Sequence, residues 1–123
     1  MVVFPAVELI PDSFADPLEL FAHYYERART TEPHDATAVA LATADAAGRP
    51  AVRMVLLKGT EDGCFQFFTN YHSRKASHLE ENPHAALCFY WAGAGVQVRV
   101  EGAVEKLDRS EERRVGKECL RLC

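Results

Sequence analysis

The feature that most constrains the fold is a series of short apolar runs separated by clusters of turn residues. These runs are rich in β-branched or aromatic residues, and they predict strands over residues 37–44, 51–59, 64–70, 85–91 and 96–107. The last run has the clearest two-residue period, since Val96, Val98 and Val100 alternate with polar residues. The run at 85–91 is nearly all apolar, which predicts burial on both faces. Strands joined mainly by short turns indicate a mainly β fold, a meander that closes toward a barrel.

Two helices are expected to flank these strands. The first follows Asp16, a good N-cap, has Pro17 at its first helical position and ends before Pro33. Its apolar residues recur at helical spacing, which is typical of a helix with one buried face. A second, shorter helix is expected over residues 73–82, where the next proline stops it.

Size and composition fit one globular domain and exclude several classes of function. The chain has 123 residues, of which 48% are hydrophobic and 26% charged. Its net charge of -4 argues against a general nucleic-acid binder. No apolar run approaches the roughly 20 residues of a membrane helix, and no signal peptide is recognised. The four cysteines form no CxxC pair, so we expect a cytoplasmic protein with reduced cysteines and no membrane partner.

Several cationic side chains occupy positions where cations are unusual, at the start of a helix and within an apolar strand. Arg74 and Lys75 occur at the start of the second helix, although cations complement the dipole at the other end. Free N–H groups make a helix N-terminus a ready anion site, and Ser73 can cap one of them. Arg53 and Lys58 lie in an apolar strand, five residues apart, so they are expected to point to opposite faces unless a bulge intervenes. These cations belong either to ordinary solvated turns and strand ends, or to a phosphate site.

Three segments, RMVLLKG, FFTNYHSRKASHLEENPHAALCFYW and VQVRVEGAVEKL, carry a family resemblance through their order and spacing. Together they resemble the N-terminal, flavin-binding half of the pyridoxamine 5′-phosphate oxidase family, from about Asp16 to Leu107. The resemblance implies a split β-barrel that binds FMN at a dimer interface. The expected fold class is therefore mainly β with flanking helices: an FMN-binding split β-barrel, here truncated, and a homodimer when complete.

The resemblance also implies which residues bind the cofactor. These residues are Arg53, Met54, Val55, Leu56, Leu57, Lys58, Phe68, Thr69, Ser73, Arg74, Lys75 and Gln97. Arg53, Arg74 and Lys75 are implied to hold the FMN phosphate, and Gln97 to contact the flavin. Lys58 is also implied to hold the phosphate of the substrate. Phe68 stands where the family commonly has tyrosine, so any hydrogen bond from that hydroxyl is lost.

The implied reaction is the oxidation of pyridoxamine or pyridoxine 5′-phosphate to pyridoxal 5′-phosphate, with oxygen reduced to peroxide. FMN would carry the chemistry while the protein orients two phosphorylated rings, so no catalytic side chain is expected. The histidines have no strong zinc spacing, so no metal is expected either. Two alternatives stay open: a flavin-binding protein of this fold without oxidase activity, and a non-functional fragment whose barrel has an open edge.

The resemblance ends near Asp108, which predicts a division of the chain into three parts. Residues 1–15 are a lead-in, residues 16–108 are an FMN-binding domain that is incomplete at its C-terminus, and residues 109–123 are a tail. RSEERRVGKEC, within that tail, resembles the conceptual translation of a sequencing-library adapter, so the tail is predicted to be non-native. Considered as structure, the same run could instead be a short charged helix.

Overall fold

The computed structural model describes residues 2–4, 16–60, 63–70, 74–107 and 117–122. Within these ranges the chain is mainly β, with two α-helices beside one sheet. The elements are β1 (Val2–Phe4), α1 (Pro17–Thr31), β2 (Ala38–Ala44), β3 (Pro50–Gly59), β4 (Phe65–Asn70), α2 (Arg74–Glu81), β5 (His84–Trp91), β6 (Val96–Leu107) and β7 (Lys117–Leu122). The predicted strands and helices correspond to β2–β6, α1 and α2, which confirms the expected fold class.

All strand pairs are antiparallel, in the order β1-β6-β5-β2-β3-β4-β7. The long strand β6 pairs with β5 through residues 96–103 and with β7 through residues 104–107. Because β7 also pairs with β4, the sheet curls and closes on itself. Among the described strands, β7 therefore covers the open edge that a truncated barrel was expected to leave between β4 and β6.

The barrel interior is filled by alternate residues of β2, β3, β5 and β6, and α1 closes one side. Phe21 of α1 places its ring centroid 5.0 Å from that of Phe65, 5.3 Å from that of Phe89 and 5.6 Å from that of Trp91. Trp91 is 2% exposed, and its indole Nε1 donates to the carbonyl of Ala36 at 3.0 Å. Burying one such aromatic side chain stabilises the fold by about 1.5–3 kcal/mol, so this cluster anchors α1 on the sheet.

Strand β5 corrects one expectation from the sequence. Its side chains alternate between buried and more exposed, with Leu87, Phe89 and Trp91 inside and Tyr90 72% exposed. The prediction of burial on both faces is therefore wrong, because only the inner face of the sheet meets the core. Val96, Val98 and Val100 of β6 are buried, as their alternation predicted.

The helix boundaries follow the capping residues. Asp16 is the N-cap of α1, and its carboxylate accepts a hydrogen bond from the backbone N–H of Leu18 at 2.9 Å. Glu32 is the C-cap, one residue before Pro33. Both ends agree with the prediction. Among the described residues, no helix is long and apolar enough to cross a membrane.

Two parts of the fold were not predicted as strands. Val2–Phe4 of the lead-in forms β1 and pairs with β6, while residues 5–15 lie outside the described residues. Within the tail, Lys117–Leu122 forms β7, so the alternative of a helix is wrong for these residues. Leu122 is fully buried. The rest of the predicted tail lies outside the described residues.

Cys64 and Cys88 differ in oxidation state. Cys64 is 5% exposed and disulfide-bonded, so the expectation of reduced cysteines is wrong for this residue. Cys88, on the outward-facing side of β5, is a free thiol and half-buried.

Candidate functional site

Strand β3 presents two chemically different faces. Val55 and Leu57 point into the core, whereas Met54 and Leu56 point outward and are 63% and 57% exposed. Arg53 shares the inward-facing side of Val55, and Lys58 shares the outward-facing side of Leu56. The two cations therefore point to opposite faces, as their spacing predicted, although the register with β4 shifts between Leu57 and Gly59.

Arg53 is held in place by the neighbouring strand β2. Its Nη1 donates to the hydroxyl Oγ1 of Thr43 at 2.7 Å and to the carbonyl of Leu41 at 3.2 Å. Leu41 is also the residue opposite Arg53 in the antiparallel register. The half-buried guanidinium thus satisfies part of its donor capacity on β2. Its remaining donors are available to a ligand.

Helix α2 brings two more cations to Arg53, because it packs against β2 and β4. Burial, together with the charge of Arg74, lowers the pKa of Arg53. Burial, together with the charge of Arg53, lowers the pKa of Lys75. We call Arg53, Arg74 and Lys75 the cation cluster. The sequence suggested that these three cations and Lys58 could share a phosphate site. The structure brings the three within electrostatic reach of one another, whereas Lys58 points to the opposite face of β3.

The cation cluster has no carboxylate partner in the described part of the chain. The ion pairs found there join Arg29 to Glu26, Arg49 to Asp45 and Lys106 to Glu80. Gathering like charges and partly burying them is unfavourable unless something anionic compensates. Guanidinium groups suit bidentate contact with phosphate, and the cluster sits at the N-terminal end of a helix, where the dipole also favours an anion. The arrangement is therefore suited to bind a phosphate group.

Two buried polar residues that sequence reasoning did not single out, Thr43 and His78, also belong to this site. Thr43 is 3% exposed and His78 is 6% exposed, and the Thr43 Oγ1 lies 3.1 Å from the His78 Nδ1. The same hydroxyl accepts from Arg53. One signal was available in the sequence: Thr43 is the polar exception on a strand face that otherwise carries Val39 and Leu41. Its link to His78 depends on the packing of α2, which no local pattern reveals.

The remaining predicted site residues lie at different distances from the cation cluster. Lys58 places its Nζ 4.7 Å from the ring centroid of Phe68, a cation–π contact on the outward-facing side. Thr69 belongs to β4, but its side chain lies outside the described residues, as does Ser73 entirely. The structure therefore places Lys58 beside Phe68 and away from the inward-facing Arg53.

Gln97 is not brought to the cation cluster within one chain. It is half-buried on β6, opposite Tyr90 of β5. Strands β5 and β2 separate β6 from β3, which carries Arg53. Three strand spacings amount to about 14 Å across the sheet. A ligand on the cluster could meet Gln97 of the same chain only by crossing that distance.

A closed antiparallel barrel with a cluster of cations beside its second helix defines the class: a small split β-barrel. The family model described as pyridoxamine 5′-phosphate oxidase matches residues 26–118. The chain belongs to the pyridoxamine 5′-phosphate oxidase family.

Individual relatives agree with this assignment. The chain is 54% identical over 103 residues to a pyridoxine/pyridoxamine 5′-phosphate oxidase of Anaeromyxobacter dehalogenans, an alignment that covers 84% of this chain and 52% of that protein. A similar protein of Rhodospirillum rubrum, with the same name, is 52% identical over 101 residues, which cover 78% of this chain and 50% of the relative. The chain thus spans about half the length of the curated relatives it matches.

Solved structures share the fold. PhzG from Burkholderia lata, determined in complex with tetrahydrophenazine-1-carboxylic acid, superposes with a TM-score of 0.76 at 29% identity, covering 93% of this chain and 55% of PhzG. An FMN-binding protein of Nostoc punctiforme, described as related to pyridoxamine 5′-phosphate oxidase, gives a TM-score of 0.73 at 20% identity over 88% of this chain and 81% of that one. The predicted split β-barrel is confirmed.

Proposed function

We propose that this chain binds FMN, with the phosphate on the cation cluster, and serves the oxidation of pyridoxamine or pyridoxine 5′-phosphate to pyridoxal 5′-phosphate. Oxygen would accept the two electrons and become hydrogen peroxide, and with the pyridoxamine form water is also consumed and the amino group leaves as ammonia. The observation that carries the proposal is the cluster of Arg53, Arg74 and Lys75, which has no carboxylate partner among the described residues, in a member of this family. The names of the relatives support the reaction.

Each residue of the cluster has a distinct task in this proposal. Arg53 is oriented by Thr43 and by the Leu41 carbonyl, so its free donors can meet two phosphate oxygens at once. Arg74 and Lys75 add charge at the helix end where the dipole favours an anion. When bound, FMN would supply the redox chemistry, so the protein needs only to position the two ligands.

Residues beyond the phosphate complete the proposed cofactor site. The backbone of Met54–Leu57 would follow the flavin ring along β3, and Phe68, Thr69 and Ser73 would border it. Lys58 would bind the phosphate of the substrate, for which its ammonium must leave the face of the Phe68 ring. That contact is exposed at Lys58, so releasing it costs little.

We also propose that the protein is a cytoplasmic homodimer. Large apolar side chains are exposed on the outward-facing side of neighbouring strands, and we call them the outer apolar face: Val52 (67%), Met54 (63%), Leu56 (57%) and Tyr90 (72%). Alanines of β2 lie between them, with Ala38 opposite Leu56 and Ala40 opposite Met54. A contiguous apolar surface of this kind favours burial against another protein. In such a dimer, Gln97 could approach a cofactor held by the partner subunit.

Flavin binding without turnover is the second candidate. The alignment with the relative from Anaeromyxobacter dehalogenans covers 52% of that protein. Residues of that relative outside the matched half have no counterpart in the alignment, so the oxidase activity is a further step beyond cofactor binding.

One experiment separates the two candidates. The purified 123-residue chain is freed of ligand and titrated with FMN by flavin fluorescence; pyridoxamine 5′-phosphate is then added in air and peroxide is followed. FMN binding with peroxide production supports the oxidase. FMN binding without peroxide supports the binding protein, and absence of FMN binding contradicts both. Arg27→Ala, an exposed cation of α1, is the matched control for any loss seen in Arg74→Ala.

A further inference from the structure

One hydroxyl connects a cation of the proposed phosphate site to a buried histidine. The Oγ1 of Thr43 lies 2.7 Å from the Arg53 Nη1 and 3.1 Å from the His78 Nδ1. Thr43 and His78 are almost completely buried, so the hydroxyl of Thr43 and the imidazole of His78 need hydrogen-bond partners within the protein. Neither residue is part of the cofactor-binding set that the family resemblance implies.

The direction of the hydrogen bond between Arg53 and Thr43 follows from the chemistry of its donor. A guanidinium can only donate, so the Thr43 oxygen accepts from Arg53. The hydroxyl keeps one proton of its own, which it can donate to the His78 Nδ1 when that nitrogen carries a lone pair. With the ring proton on Nε2 and the lone pair on Nδ1, the contact is a hydrogen bond from the hydroxyl to the imidazole. The chain of donation runs from Arg53 through Thr43 to His78.

Nearby carboxylates are engaged elsewhere and do not compete for this histidine. Asp45 and Glu81 line the same cavity of about 630 Å3 as His78. Asp45 pairs with Arg49 at 2.7 Å, and the Glu81 carboxylate accepts from the backbone N–H of Ala46 at 3.0 Å. The Thr43 hydroxyl is thus the partner that the structure gives to the Nδ1 of His78.

We propose that His78 is a positioning residue of the phosphate site, acting through Thr43 on Arg53. By accepting the hydroxyl proton, His78 turns the lone pairs of Thr43 toward the guanidinium and fixes one Nη1 donor. The other donors of Arg53 then face the phosphate in one defined orientation. His78 also fastens α2, which carries Arg74 and Lys75, to β2. This inference rests on the proposed binding of FMN at the cation cluster.

A comparison of FMN with riboflavin, which lacks the phosphate, separates this role from a merely structural one. Thr43→Val and His78→Leu keep the volume of each side chain but remove the hydrogen bond. Each is expected to weaken FMN binding about tenfold while leaving riboflavin binding unchanged. His78→Asn places an amide oxygen near the position of Nδ1 and is expected to recover most of the FMN affinity. His34→Leu, at an exposed histidine, should change neither affinity.

Combining the two changes gives an independent criterion. The double variant Thr43→Val/His78→Leu should bind FMN no more weakly than the poorer single variant, because both changes remove the same hydrogen-bonded chain. If the double variant instead lost FMN affinity by the product of the two single losses, the proposal would be overturned. An equal loss of FMN and riboflavin affinity, or no loss at all, would also overturn it.

The inference can fail separately from the proposed function. If the wild type binds no FMN, the proposed function is wrong, and inorganic phosphate becomes the probe of the site. Phosphate should then raise the melting temperature of the wild type and of His78→Asn, but less that of Thr43→Val and His78→Leu. Equal stabilisation of all four proteins by phosphate, or stabilisation of none, would overturn the role given to His78.

Discussion

Burial and the nearby charge of Arg53 together lower the pKa of Lys75, although the two residues lie on different elements, strand β3 and helix α2. Burial of the ammonium is the larger cause, and the neighbouring guanidinium adds to it. Two cations are therefore held together in the ligand-free protein at a cost in stability. A bound phosphate would remove that cost. The effect of the two charges on stability can therefore be tested both in the ligand-free protein and in its complex with a phosphate ligand.

Replacing Lys75 should stabilise the ligand-free protein and weaken its ligand binding. Lys75→Met keeps the aliphatic stem but removes the partly buried charge beside Arg53, so the melting temperature without ligand is expected to rise. FMN affinity should fall about tenfold, because one charge-assisted contact with the phosphate is lost. Differential scanning fluorimetry and an FMN titration measure the two effects. A lower melting temperature together with unchanged affinity would contradict this account of the cluster.

FMN affinity should also fall at alkaline pH. Lys75 contributes to phosphate binding only while protonated, and its pKa in the free protein lies below the usual 10.5. As pH rises through that lowered value, the free protein loses the proton that the complex retains, so the affinity decreases. Titrations from neutral pH to the ordinary lysine pKa of 10.5 check this, with Lys75→Met as control, which should lose this contribution. Riboflavin corrects for ionisation of the flavin itself.

The outer apolar face should control self-association. Leu56→Asp places a charge on a surface that would be buried in a dimer, so the variant is expected to be monomeric. Ala47→Asp, at the exposed turn between β2 and β3, is the matched control and should behave as the wild type. Light scattering coupled to size-exclusion chromatography measures the mass. A monomeric wild type would refute the dimer, and a dimeric Leu56→Asp would place the interface elsewhere.

The packing of β7 can be tested at Leu122. This side chain is fully buried, and its strand pairs with β4 and β6, so Leu122→Ala should lower the free energy of unfolding by about 2–5 kcal/mol. Glu101→Ala, exposed on β6, is the control and should change it little. Chemical denaturation gives both values. An unaffected Leu122→Ala would mean that β7 contributes nothing to the barrel in solution.

The origin of residues 109–123 is a separate question from their packing. We predict a non-native tail, and a short segment of mixed polarity can pair with free strand edges whatever its source. Sequencing of the coding DNA tests the origin of the tail. Adapter sequence after the Asp108 codon would confirm the prediction, and native genomic sequence in independent reads would refute it.

The sequence predicted most of the fold because most of its elements carry a local signal. Strands β2–β6 have apolar runs bounded by turn residues, and α1 has both caps. β1 is too short to show a period, and β7 is defined by its pairing with β4 and β6. The exposure of Tyr90 could not be foreseen, because an apolar run does not reveal which face meets the core.

The site was predictable where the chemistry is visible in the residues themselves. Arg53, Arg74 and Lys75 were singled out as misplaced cations, and the structure brings them together. Thr43 and His78 were not predicted as site residues, because their contact joins residues 35 positions apart and exists only once α2 has packed on β2. The resemblance grouped Gln97 with the cluster, yet in one chain two strands intervene between β6 and β3.

The most direct test of the central claim is a crystal structure of the chain with FMN. The account predicts phosphate oxygens at about 2.7–3.2 Å from the guanidinium of Arg53 and from cationic nitrogens of Arg74 and Lys75. It also predicts that the hydrogen bonds from Arg53 to Thr43 and the Leu41 carbonyl persist. A flavin whose phosphate lies elsewhere, with the cation cluster left to solvent, would contradict it.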